Sequence, residues 1–330
     1  MFSFVLVAVV VVALLFEFIN GFHDTANAVA TSVYTRALKP KNAILLAAIM
    51  NFVGALISDK VAKTITSGLI GVQVEQFVIL AALIGAILWN LFTWWKAIPS
   101  SSSHALIGSL IGATIVYTMS SQDILWNGVL DKVVIPLFTS PLLGFILAFF
   151  VMRVIYRLFA GLAYNKASKI FSKLQILSGA LVAFSHGNND AQKTMGIITL
   201  ALISGGVLDA SASVPLWVKV ICATTMAAGT SVGGWKIMRA MGRGVTRLDP
   251  AMGFAAQTSS AIIIETMTYF GAPISTTQVI TTSVMGVGSA RRISSVKWGV
   301  ARNIVLAWIV TLPITMVLGG TVVYIIELFL

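Results

Sequence analysis

Apolar residues run almost without interruption over 2–35, 42–58, 76–96, 104–120, 133–158, 174–204, 215–234, 251–271, 278–290 and 303–329. A helix needs about 20 mostly apolar residues to cross the hydrocarbon core of a bilayer. Ten such stretches predict an all-α, polytopic membrane protein. Three polar strings break the pattern: GFHDTAN at 21–27, IPSSSSH at 98–104 and SHGNNDAQK at 185–193; a fourth, APISTTQ at 272–278, is milder. Polar side chains and irregular backbone survive at that depth only where protein or a water-filled cavity surrounds them. The strings are therefore expected to interrupt their helices and to line one interior site.

The strings pair along the chain. Gly21-Phe22-His23-Asp24 aligns with Gly187-Asn188-Asn189-Asp190, and Pro99, Ser101, Ser102, Ser103, Ser109 and Gly112 align with Pro273, Ser275, Thr276, Thr277, Ser283 and Gly286. Two matched pairs in the same order predict two homologous halves, 1–165 and 166–330, each with about five segments. In each half the third and fourth segments are joined through a Pro-Ser/Thr tip with almost no loop. An odd number of net crossings per half makes the second half inverted relative to the first. Inverted repeats with broken helices or re-entrant hairpins meeting near the midplane are a recurrent plan of secondary transporters.

Charge fits this threading. The 330 residues are 58% hydrophobic and 10% charged, against about a quarter charged in a soluble protein. A soluble fold and an attached ATP-binding or catalytic domain are both excluded as readings. The net charge of +11 comes from short loops and not from a stripe or tail, so nucleic acid is not an expected partner. Arg36, Lys39, Lys41, Arg153, Arg157, Lys166, Lys169, Lys173, Lys236, Arg239, Arg243, Arg247, Arg291, Arg292, Lys297 and Arg302 all fall on one side of the threading. The positive-inside rule makes that side cytoplasmic and places both termini outside, in the plasma (inner) membrane. The first apolar run lacks a basic leader and passes straight into a polar motif, so it reads as a retained helix. Cys222 is the single cysteine, which excludes a disulfide framework.

The strings carry two chemistries. Ser101, Ser102 and Ser103, followed by His104, and Ser275, Thr276 and Thr277, followed by Gln278, stand immediately before helical apolar runs. Hydroxyls, unpaired backbone N–H groups and the positive end of a helix dipole favour an anion there. Two such starts facing each other suit a tetrahedral oxyanion such as phosphate or sulfate; taken singly, each reads equally well as an ordinary N-cap. Asp24 and Asp190 need cations or protons at that depth, and Asn27, Asn188 and Asn189 add hard oxygens suited to sodium. The alternative is structural, with Asp24 capping a helix after a break at Gly21 and Asp190 paired with Lys193. All three histidines, His23, His104 and His186, lie in the strings and titrate near neutral pH. Glu17, Glu265 and Asn51 are isolated polar groups that serve either as further cation ligands or as interhelical hydrogen bonds. An intramembrane zinc enzyme built on His23, Asp24, His186 and Asp190 is the reading from another class, although its spacing matches no zinc motif. Anion donors and carboxylates in one cavity point instead to co-transport of an anion with sodium or protons. An uncoupled anion channel and a carrier for another oxyanion such as sulfate are the remaining alternatives.

The segments Asn20–Thr31 (NGFHDTANAVAT) and Ser185–Gly196 (SHGNNDAQKTMG) resemble the paired signature motifs of the inorganic phosphate transporter (PiT) family, especially its bacterial members. The resemblance covers nearly the whole chain. It implies symport of inorganic phosphate driven by sodium or protons, with no cofactor beyond the coupling ion and, in some bacterial members, uptake of a neutral metal phosphate complex. By resemblance, Asp24, Asp190 and Asn27 are cation and transport residues, and the Ser/Thr tips contact phosphate. Lys193 departs from the pattern: it stands where a second cation-coordinating asparagine is expected, so a fixed ammonium replaces one sodium or shifts coupling toward protons. The linker at 160–173 lacks the long cytoplasmic insertion of some relatives. A homodimer is compatible with this architecture, and no residue argues for it.

Overall fold

The structure, a computed structural model, describes residues 4–232 and 245–329; of residues 25–27 it describes the backbone alone. Lys236, Arg239 and Arg243, counted above toward one side of the membrane, and the side chain of Asn27 lie outside the described residues. The described chain is helical throughout: α1 Phe4–Tyr34, α2 Pro40–Ala55, α3 Lys60–Ser67, α4 Gln76–Trp95, α5 Ser102–Thr118, α6 Trp126–Leu158, α7 Tyr164–Ser204, α8 Leu216–Val232, α9 Pro250–Tyr269, α10 Thr276–Arg291 and α11 Trp298–Glu327. Helices α1, α4, α6 and α11 are long and apolar enough to cross a membrane, and α2 with α3, a pair bent by 64°, is either a broken fifth span or a re-entrant segment. The chain is an integral membrane protein. The polar strings sit on α1, α5, α7 and α10.

Two expectations about those strings separate here. GFHDTAN and SHGNNDAQK do not break their helices: α1 runs 31 residues and α7 runs 41 residues straight through them. No break exists at Gly21, so Asp24 caps nothing. Both glycines serve close packing instead. A Cβ on Gly21 would lie 2.5 Å from the Met226 carbonyl oxygen on α8, and one on Gly187 would lie 2.2 Å from the Asn51 carbonyl oxygen on α2. Without side chains at these points the helix backbones approach closely, which drives association where lipid is as apolar as the interface.

The two Pro-Ser/Thr tips are unwound as expected. Ser101 and Ser275 have extended backbones, and their hydroxyls accept hydrogen bonds from the backbone N–H of His104 (3.2 Å) and Gln278 (3.3 Å). Each cap satisfies one of the four orphan donors at a helix start. Just before each tip the chain turns through the left-handed region, at Ala97 (φ 53°) and Gly271 (φ 70°). Glycine tolerates this freely, whereas alanine accepts a cost of about 1–2 kcal/mol. The hairpins α4–α5 and α9–α10 follow directly from those turns.

Helix packing repeats itself. Helix α5 packs on α4 and α11, and α10 packs on α9 and α6; α1 packs on α4 and α8, and α7 packs on α9 and α2. Aliphatic and aromatic side chains such as Leu45, Phe138, Phe150 and Val317 face outward, while serine, threonine, asparagine and aspartate side chains are buried alongside an apolar core. At the α5–α11 crossing a Cβ on Gly112 would lie 1.9 Å from the Met316 carbonyl oxygen, backbone that a rotamer change does not relieve. Gly112→Ala is therefore expected to cost about 1–3 kcal/mol by overpacking. Heating the detergent-solubilised protein measures it, and an unchanged Tm contradicts the contact.

Candidate functional site

The two tips touch. Ser103 at the start of α5 donates to the Ile274 carbonyl oxygen, 2.9 Å away in the other tip. The signature stretches of α1 and α7 lie alongside, because α1, α7 and α10 are mutual neighbours. Asp24 and Asp190 are 2% and 1% exposed, and every tip residue from Ser100 to Ser103 and from Ser275 to Thr277 is equally buried. The cluster is thus sealed from both faces of the molecule.

Consecutive threonines of the second tip hold both aspartates. Thr276 Oγ1 donates to Asp190 Oδ2 and Thr277 Oγ1 donates to Asp24 Oδ1, each at 3.1 Å. Their surroundings then diverge. Asp190 Oδ1 pairs with the Lys193 ammonium one turn along α7, which also donates to Ser103 Oγ and, at 2.8 Å, to the Ile274 carbonyl oxygen. His186 Nε2 lies 3.1 Å from Asp190 Oδ2, and its Nδ1 lies 3.1 Å from Asn51 Oδ1. Lys193 therefore sits in an oxygen cage built from α7 and both tips. Asp24 has no lysine or arginine partner among the described residues; His23 Nδ1 lies 2.8 Å from its Oδ1, and His23 Nε2 lies 3.3 Å from Thr93 Oγ1 on α4.

The asparagines differ from expectation. Asn188 donates to Glu265 Oε2 at 3.0 Å, and its side-chain carbonyl accepts from Gln192 Nε2 at 3.2 Å, so that oxygen is engaged within the protein. Asn189 donates to Thr268 Oγ1 (2.8 Å) and the Ala272 carbonyl oxygen (3.1 Å), which ties α7 to the end of α9. Its own Oδ1 is buried without a partner among the described residues. The Ser102 hydroxyl, both ring nitrogens of His104 and both amide atoms of Gln278 are likewise buried without partners.

Three further residues, Thr93, Gln192 and Thr268, hold the cluster together without having been assigned a role from the sequence. Thr93 links His23 to Ser100, whose hydroxyl donates to it at 2.9 Å. Gln192 Oε1 accepts from the backbone N–H of Val61 (2.8 Å) and Ala62 (3.3 Å), which anchors the start of α3 on α7. Thr93 and Thr268 share one cue, a threonine about one to two turns before a Pro-Ser/Thr tip. The zinc alternative finds no support: among the described residues no three of His, Cys, Asp and Glu converge on a point that could hold a metal ion.

Comparison with known proteins fits this arrangement. A family model described as the phosphate transporter family matches residues 20–319. A probable low-affinity inorganic phosphate transporter of Bacillus subtilis is 44% identical over 98% of this chain and 97% of its own. A protein of the same description from Rhizobium meliloti is 46% identical over 93% of this chain and 92% of its own. Among solved structures, one titled the sodium-dependent phosphate transporter superposes with a TM-score of 0.89 at 24% identity, covering 99% of this chain and all of the other. At that identity the likeness establishes the fold.

Proposed function

Because the chain belongs to the phosphate transporter family, we propose that it carries inorganic phosphate across the membrane by cation-coupled symport, with Asp24 as the exchangeable cation site and Lys193 as a cation built into the protein. The observation that carries this reading is the contrast between two repeat-related aspartates held by one tip: among the described residues Asp190 has a lysine and Asp24 has none. A buried carboxylate without a counter-charge is costly. Sodium, or a proton shared with His23, neutralises Asp24 and lowers the cost of admitting a multiply charged anion beside it. Phosphate then takes hydrogen bonds from the tips. The hydroxyls of Ser103, Thr276 and Thr277 now donate to Ile274, Asp190 and Asp24, so binding exchanges internal acceptors for phosphate oxygens. The unpartnered Ser102 hydroxyl needs no such exchange.

The reading takes 1–165 and 166–330 as inverted repeats. Its support is the exchange of packing partners between the halves and the matched left-handed turns at Ala97 and Gly271. Orientation follows the basic loops, with Arg36, Arg157 and Lys297 cytoplasmic in the plasma membrane and both termini outside.

Uptake of radiolabelled phosphate into liposomes holding the purified protein tests the proposal. Accumulation is expected under an inward sodium or proton gradient and not without one. Sulfate competing as well as phosphate would reassign the cargo, and gradient-independent equilibration would make the protein a channel. Within the same assay Ser102→Ala is expected to raise the phosphate KM about 10- to 150-fold with little change in kcat, the loss of one hydrogen bond to a charged group of about 1.5–3 kcal/mol. An unchanged KM removes the first tip from the phosphate site.

A further inference from the structure

We propose that Glu17, Asn20 and Asn90 form a second, buried site for an alkali cation, separate from Asp24 and on the far side of it from the end of α1. Glu17, Asn20 and Asp24 fall at intervals of three and four on α1, so they share one face of the helix. Glu17 and Asp24 are seven residues apart, about 10 Å along the axis, which is too far for one ion to serve both. Glu17 and Asn90 are fully buried and Asn20 is 1% exposed. Glu17 Oε1, Asn20 Oδ1 and both amide atoms of Asn90 have no hydrogen-bond partner among the described residues. An unsatisfied buried polar atom costs about 1–3 kcal/mol and a charged one more, so the three oxygens among these four atoms, on adjoining helices, call for a ligand.

The helices bring these groups to one level. On the threading proposed above, α1 and α4 enter from the same side of the membrane and run in the same direction. His23 meets Thr93, and Phe22 and Trp94 stack edge to face with ring centroids 5.7 Å apart. Asn20 lies three residues before His23 and Asn90 three before Thr93, which places both amides one turn away on facing helices. Thr194 on α7 closes the third side by donating to Glu17 Oε2. Lys193 does not neutralise Glu17, because its ammonium is bound to Asp190. A carboxylate, two amide carbonyls and a hydroxyl are oxygen donors of the kind hard cations take; no imidazole or thiolate among them favours a transition metal.

The inference takes Asp24 as the other cation site, and the test separates the two. Purified full-length protein in detergent is titrated with sodium-22 in choline chloride, alongside thermal unfolding with and without sodium chloride. Wild type is expected to bind two sodium ions per chain, Asp24→Asn one, and Asp24→Asn/Glu17→Gln none. Asn20→Ala and Asn90→Ala, which leave the carboxylate in place, are expected to weaken the remaining site of Asp24→Asn about 10-fold with unchanged Tm in choline. If Asp24→Asn binds no sodium, or Glu17→Gln binds as much as wild type, Glu17 is a protonated acid and the proposal falls. If Asp24→Asn binds as much as wild type while Glu17→Gln loses an ion, the Glu17 site stands and the assignment of Asp24 is lost.

Discussion

Asp190→Asn is expected to destabilise the protein by about 3–5 kcal/mol, the usual cost of removing one member of a buried ion pair. Lys193 is 1% exposed. Without the Asp190 charge its ammonium keeps only neutral acceptors, the substituted amide oxygen, the Ser103 hydroxyl and the Ile274 carbonyl oxygen, which do not compensate a desolvated charge. The Tm in detergent should fall by on the order of 10 °C. Lys193→Met alone leaves Asp190 with the Thr276 hydroxyl and the His186 ring and is expected to cost less, because both of those partners stay in place. The double variant Asp190→Asn/Lys193→Met removes both charges and should recover most of the lost stability, since a buried pair replaced as a unit is often near neutral. It should remain inactive in phosphate uptake, because the cage that ties α7 to both tips is gone. A double variant no more stable than Asp190→Asn would show that Lys193 is not neutralised by Asp190, and the argument for a built-in cation would fail with it.

How far this was legible beforehand depends on the range of each interaction. The tips were readable because proline and a Ser/Thr run before an apolar stretch specify a cap locally, and Ser101 and Ser275 are those caps. Asp24 and Asp190 stood out because carboxylates in apolar segments demand an explanation, and the Asp190–Lys193 pair follows from i,i+3 spacing on a helix. Continuity of α1 and α7 was not readable. Glycine, asparagine and aspartate weaken a helix locally, and only the neighbouring backbones at Met226 and Asn51 reveal that Gly21 and Gly187 are contact points. The roles of Thr93, Gln192 and Thr268 were hidden for the same reason: each is set by a partner far away in sequence. The direction of the Asn188 amide, toward Glu265, likewise depends on how α7 meets α9.

Asp24→Asn is expected to give the opposite phenotype from Asp190→Asn although the two aspartates occupy matching places in the repeats. No lysine or arginine answers Asp24 among the described residues, so the substitution removes a buried charge without stranding another. Thr277 Oγ1 and His23 Nδ1 retain an oxygen acceptor in the asparagine carbonyl, and the net change in stability should stay within about 1 kcal/mol. Gradient-driven phosphate uptake, in contrast, should fall at least about 100-fold, since the neutral amide neither attracts a cation nor carries a proton; the loss corresponds to about 2.7 kcal/mol of coupling. Ligand linkage offers a second readout, because an ion that binds the folded state raises Tm by mass action. Sodium should stabilise wild type more than Asp24→Asn, while Asp190→Asn/Lys193→Met keeps the Asp24 share of that stabilisation. If sodium changes neither Tm nor uptake in wild type and an inward proton gradient drives accumulation, the His23–Asp24 pair carries a proton and the same variant still abolishes transport. Near-normal uptake by a folded Asp24→Asn protein under both gradients would remove Asp24 from the coupling site, leaving the asymmetry between the two aspartates a matter of stability alone.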